Sequence, residues 1–227
     1  MSVLERIVGL PYRIQFRLRN RGRQKLQTDT LALLRGLFEK SESLGLQNSR
    51  RIHNVALYAL LLDQDLWQFN CDMVLATSDR RRSFVARHLT VLLYEGADDL
   101  PALLGKDYRE SLRRINVPGD WMDGLNQISR GFNAFRNKRQ AALSTIRNAV
   151  AAHRAHDVKK QLDLLDSLRP IEITKLAAQF SEPLNKLVRL QTKLTAHLGG
   201  LGVLLQDLVT KPHSPERTQK KRRGPRG

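Results

Sequence analysis

At 227 residues, 41% hydrophobic and 27% charged, the chain is long enough to bury one sizeable core and has an ordinary soluble-protein composition. Thirty-nine lysines and arginines against 22 acids give a formal net charge of +17, a field that draws polyanions such as RNA, DNA or an anionic membrane face. One cysteine, Cys71, excludes an intrachain disulfide and a thiolate zinc site, and no apolar run approaches the ~20 residues of a membrane span.

Sparse glycine and proline and abundant leucine, alanine, lysine and arginine favour helix over sheet. The expected class is all-α, an up-and-down bundle with a basic N-terminal arm and a disordered basic C-terminal tail. The first residues lack the long apolar core of a signal peptide, so a cytoplasmic location is the expectation. No Walker loop, HExxH motif or nucleophile elbow is present.

Residues 1–25 form the basic arm. Arg13, Arg17, Arg19, Arg21, Arg23 and Lys25 are joined by no acid, and Tyr12, Ile14, Phe16 and Leu18 alternate with polar residues. That alternation suits a strand or an extended arm on a nucleic-acid backbone, and equally an amphipathic terminus. Residues 26–80 read as a helical hairpin packed on the bundle, with helices over 26–46 and about 49–76. The second is apolar on more than one side and should be the most buried.

Residues 81–208 read as the bundle proper. Ser78 or Asp79 suits the cap of a third helix, which Pro101 and Gly105 end. On it Arg87, Val91 and Glu95 form a row at i, i+4, i+8; a buried Glu95 needs a cationic or hydrogen-bonding partner. A short helix over 107–115 leads to the turn Asn116-Val-Pro-Gly-Asp120. A long helix from Trp121 to about Arg154 carries the stripe Trp121, Leu125, Ile128, Phe132, Phe135, Ala142, Ile146, Val150 and His153. Helices over 158–168 and 171–208 follow, the last broken or kinked at Pro183. Residues 209–227, with Lys220, Lys221, Arg222 and Arg223, are too polar to pack and form a second candidate nucleic-acid arm.

The end of the long helix carries the chemistry. Arg147 and Asn148 stand just before His153, with Arg154, His156 and Asp157 beyond. Arginine binds phosphate through a planar fork, and histidine exchanges a proton near neutral pH. A histidine on an apolar stripe also serves as an ordinary core residue. His153, His156 and Asp157 resemble half a metal site, but no third distant ligand is identifiable; no metal or other cofactor is expected.

Arg-Asn-Ala-Val-Ala-Ala-His over 147–153 resembles the Arg-polar-x(3–5)-His signature of HEPN domains, and the continuation Ala-His-Arg-Ala-His-Asp also looks like that group. Phe84–Glu95 resembles an earlier bundle helix of abortive-infection members, and the likeness covers about 83–208. It implies a four- or five-helix core and a metal-independent endoribonuclease of a defence or toxin–antitoxin system. Arg147, Asn148 and His153 would be catalytic, and Arg87, Glu95, Arg154 and His156 supporting.

On one straight helix Arg147 and His153 point about 120° apart and lie about 9 Å apart along the axis, so two copies packed across a two-fold axis converge them more readily. The resemblance implies RNA and an antitoxin protein as partners, and together with this geometry a second copy of the chain. The alternative is a HEPN-like bundle without catalysis that binds RNA or a protein partner through its basic arms.

Overall fold

The computed structural model describes the backbone of residues 3–151, 159, 163 and 169–200, and the side chains of residues 20–148, 159, 163 and 169–200. Among these residues there are six helices and no strand: α1 (Val3–Ser43), α2 (Gln47–Leu75), α3 (Asp79–Leu103), α4 (Lys106–Arg114), α5 (Gly119–Ala151) and α6 (Pro170–Leu198). The all-α bundle read from the sequence is the fold.

Each long helix runs antiparallel to the next. Arg23 meets Asp63 and Ser41 meets His53 across α1 and α2. Tyr58 meets Asp99 and Phe69 meets His88 across α2 and α3. Arg136 pairs with Asp98 across α3 and α5, and Trp121 meets His197 across α5 and α6. Helix α6 closes the ring by packing on α2 and α3.

The core therefore lies between α2, α3, α5 and α6. It is built from residues such as Ile52, Leu66, Leu89, Leu93, Leu125, Phe132, Phe180 and Leu187. Phe180 sits between Phe132 and Phe135, with ring centroids 5.4 and 5.1 Å away in tilted and edge-on geometry, the arrangements aromatic quadrupoles favour. Helix α2 is thus one wall of the core. Helix α1 adds a fifth, outer layer through Leu34 against Ala56 and Leu60.

The turns follow from residues with small or locally bonding side chains. Gly45 takes φ +71° after α1, with Leu46 N–H donating to Ser41 O and Gly45 N–H to Glu42 O. Asn116 takes φ +53° after α4 with the same pair of bonds, from Val117 to Leu112 and from Asn116 to Arg113. Both are Schellman closures. Ser78 caps α3 by accepting from Arg81 N–H at 3.2 Å. Arg109 fastens α4 to α5 by donating to Asn126 and Ser129 at 2.6 and 3.0 Å.

Four expectations change. The basic arm is neither strand nor extended segment: its backbone is the first half of α1, continuous with the helix expected over 26–46. Tyr12, Ile14, Phe16 and Leu18 sit two apart, but Ile14 and Leu18 are also four apart, and a propagating helix adds one hydrogen bond per residue. Pro183 does not break α6. It is buried, and a Cβ placed on Gly131 would lie 3.0 Å from its Cβ, so a missing N–H is offset by a close helix–helix approach. On α5 the inward stripe passes through Leu143, fully buried, while Ala142 is exposed. Glu95 is exposed rather than buried. The helix expected over 158–168 and the tail 209–227 lie outside the described residues.

Candidate functional site

Arg147 stands near the C-terminal end of α5 on the side that faces α3. It is half-buried, and its guanidinium carbon lies 5.5 Å from the ring centroid of Tyr94. A guanidinium over an aromatic face is attracted by the ring quadrupole and held flat. Its Nη1 donates to Asn148 Oδ1 at 3.4 Å, and its Nε is enclosed without a hydrogen-bond partner among the described residues. Asn148 is exposed beside it. The Nη edge of the guanidinium therefore makes no ion pair among these residues.

His153, Arg154 and His156 lie outside the described residues, as does Asp157 of the weighed metal set. Among the described residues no cluster of histidine, cysteine and acid side chains is arranged to hold a metal.

The two supporting residues on α3 are not brought together. Arg87 is half-buried with its Nε enclosed and unpartnered, whereas Glu95 is exposed, and no ion pair joins them. Positions eight apart on a helix are about 12 Å apart along its axis, beyond a direct bridge. Glu95 belongs instead to an acidic edge with Asp98 and Asp99. Tyr58 donates to Asp99 at 2.8 Å, and its pKa is pushed far above the ordinary phenol value by burial, by that hydrogen bond and by the charges of Asp99 and Glu95. Arg136 bridges Asp98 at 3.1 Å.

The inward neighbour the sequence reading passed over is Tyr94. Positions 87, 91 and 94 share one face of α3, and Tyr94 rather than Glu95 is the residue that meets Arg147 of α5. That i, i+4, i+7 spacing was the available signal.

Of the candidate nucleic-acid residues, Arg13, Arg17 and Arg19 lie on the first half of α1, with side chains outside the described set. Arg21 and Arg23 are exposed. Arg21 makes no ion pair among the described residues. Arg23 is engaged: its Nη2 bonds Asp63 at 3.1 Å and its guanidinium lies 5.3 Å over the Trp67 ring. Lys220, Lys221, Arg222 and Arg223 lie outside the described residues. Cys71 is buried, and burial first, then the charge of Asp72, pushes its thiol pKa up against a smaller lowering by Arg23. That is the reverse of what a nucleophilic thiol needs. No helix among the described residues is long and apolar enough to cross a membrane.

No protein-family model, curated protein or solved structure matches the chain.

Proposed function

We propose that the chain is a metal-independent endoribonuclease of HEPN type, acting in a cytoplasmic defence or toxin–antitoxin system with an antitoxin protein as its antagonist. Its site is composed across two copies. The observation that carries this reading is Arg147 held by Tyr94 with exposed Asn148 beside it, six residues before His153.

The chemistry follows from those groups. Arg147 takes two non-bridging oxygens of a phosphodiester through its Nη edge and offsets the charge that grows on the phosphorane. Asn148 orients the phosphate. His153 removes the proton of the 2′-hydroxyl, the 2′-oxygen attacks phosphorus, and the 5′-oxygen leaves with a proton from the equivalent histidine of the second copy. The products are a 2′,3′-cyclic phosphate and a free 5′-hydroxyl. Proton transfer of this kind contributes roughly 10²–10⁴-fold.

The test is cleavage of a labelled mixed-sequence RNA in EDTA by wild type, Arg147→Ala and His153→Ala, with a 2′-deoxy strand as control. Cleavage by wild type alone, absent on the deoxy strand, is the expected result. Cleavage by both variants overturns the site.

A second reading is a non-catalytic bundle that binds RNA. It is favoured by the continuity of α1, which sets six basic residues from Arg13 to Lys25 on one helix with no acid among them. On that reading all three proteins bind RNA equally, cut nothing and release it as salt rises.

A further inference from the structure

Between α1 and the second half of α2 lies a cleft of about 340 Å³, with Asn20, Arg21, Gln24, Trp67, Gln68, Cys71, Asp72 and Leu75 along its walls. That is near the lower end of the ~300–1,000 Å³ of small-molecule sites, with room for a planar ring system. We propose that this cleft takes an unpaired nucleobase of single-stranded RNA, stacked on Trp67. The inference deepens the RNA-directed reading above and rests on its RNA part, catalytic or not.

The stacking surface is prepared. Trp67 is half-buried, and Arg23 lies over its ring at 5.3 Å, itself held by the largely buried Asp63. Arg23 itself does not line the cleft. Guanidinium, indole and base would form one stack, the sequence-tolerant element of single-strand binding sites.

The walls favour a base over a phosphate. Arg21 and Asp72, the charged lining residues, are of opposite sign and leave little net field inside. Three amides supply base-edge partners. Gln24 donates to Gln68 at 3.3 Å and Asn20 donates to Cys71 Sγ at 3.9 Å, which leaves the Gln24 and Asn20 oxygens and the Gln68 nitrogen free among the described residues. Free amide oxygens and nitrogens match the donors and acceptors of an unpaired Watson–Crick edge.

Phosphates have their own track. Positions 13, 17 and 21 of α1 fall in one row, about 6 Å apart along the axis, and all three are arginine. Arg21, the last of the three, also lines the cleft. The cleft also lies at the Arg147 end of the bundle: Leu62 of α2 is level with Gly96 of α3, placing Trp67 and Tyr94 near one another along the axis. A strand held here would pass the end of the molecule that carries Arg147.

The chain has two tryptophans, so Trp121→Phe leaves Trp67 as the single reporter. A short single-stranded RNA, 2′-O-methylated to prevent cleavage, is titrated against that full-length protein. Saturation is expected to quench Trp67 emission, and an RNA duplex to leave it unchanged. Trp67→Leu should weaken binding about tenfold, with Trp67→Phe restoring most of it. Gln24→Leu, at an exposed position that carries no core packing, should weaken binding about threefold without shifting Tm.

Binding at full strength with silent Trp67 emission overturns the cleft and leaves RNA binding standing. So does undiminished binding by Gln24→Leu together with folded Trp67→Leu. Absence of binding by every version removes the RNA reading itself.

Discussion

The side-chain amide of Gln191 donates a 2.7 Å hydrogen bond to the phenol oxygen of Tyr108, joining α6 to α4 inside the core. Both residues are buried, and Gln191 Oε1 has no partner among the described residues. Tyr108→Phe removes the acceptor and strands the rest of a buried amide. We expect a loss of about 1–3 kcal/mol. The double variant with Gln191→Leu replaces both polar groups and should lose less than Tyr108→Phe alone. Urea midpoints at constant m-value test this; a double variant as costly as the summed singles would show that the pair is not coupled.

Two glycines of α5 are expected to respond oppositely to alanine. Around Gly124 nothing lies within 4 Å of an added Cβ, so Gly124→Ala should stabilise by about 0.5–1 kcal/mol through helix propensity alone. At Gly131 the same Cβ would meet Pro183 Cβ at 3.0 Å, on a ring that has no rotamer to give way. Gly131→Ala should therefore destabilise by about 1–3 kcal/mol. Thermal unfolding of the two variants side by side decides it. An equal gain at both sites would mean that α5 and α6 separate freely there.

Helices α2 to α5 were legible because apolar periodicity and turn chemistry agreed. Ser78 before the Arg80–Arg82 triplet and Asn116-Val-Pro-Gly after the short helix punctuate them, and both act as read. The continuity of α1 was not legible, since Ile14, Phe16 and Leu18 fit a two-residue period as well as a helical one. A break at Pro183 was the wrong half of its reading, because the helix-breaking cost of proline is a local property, while what offsets it is a contact with Gly131 on another helix. At the site, Arg147 could be found from its own neighbours in sequence. Its aromatic partner was signalled only by the i, i+4, i+7 spacing of Arg87, Val91 and Tyr94: a shift of one residue on α3 turns a side chain by about 100°, which separates half-buried Tyr94 from exposed Glu95. Trp67 read as one more apolar residue of a buried helix, because nothing local reveals that Arg23 lies over it.

Cys71 should react slowly in the folded protein. Its thiol pKa is raised by burial and by Asp72, so at any pH near neutrality the folded state holds less thiolate than the unfolded chain. Alkylation by iodoacetamide, followed by mass spectrometry, should run more slowly in buffer than in urea. The native rate should keep rising with pH beyond the point where the unfolded rate levels off. A native rate that levels off at the same pH would mean that burial leaves the thiol unperturbed.

The contact of Arg147 with Tyr94 gives the cleavage proposal its most selective variant. Tyr94→Phe keeps the ring and should keep single-turnover cleavage of RNA in EDTA within about twofold. Tyr94→Leu keeps an apolar side chain but removes the π face, a contact worth roughly 0.5–2 kcal/mol. With each 1.36 kcal/mol equal to a factor of ten, cleavage should fall roughly 3- to 30-fold. Because the ring orients the guanidinium rather than touching the strand, the loss should appear in the cleavage step more than in RNA affinity. Arg147→Lys should fall further than Tyr94→Leu, since an ammonium cannot span two phosphate oxygens as the planar fork does. Wild-type cleavage by Tyr94→Leu would sink the positioning role of the ring while leaving Arg147 to be judged on its own variant.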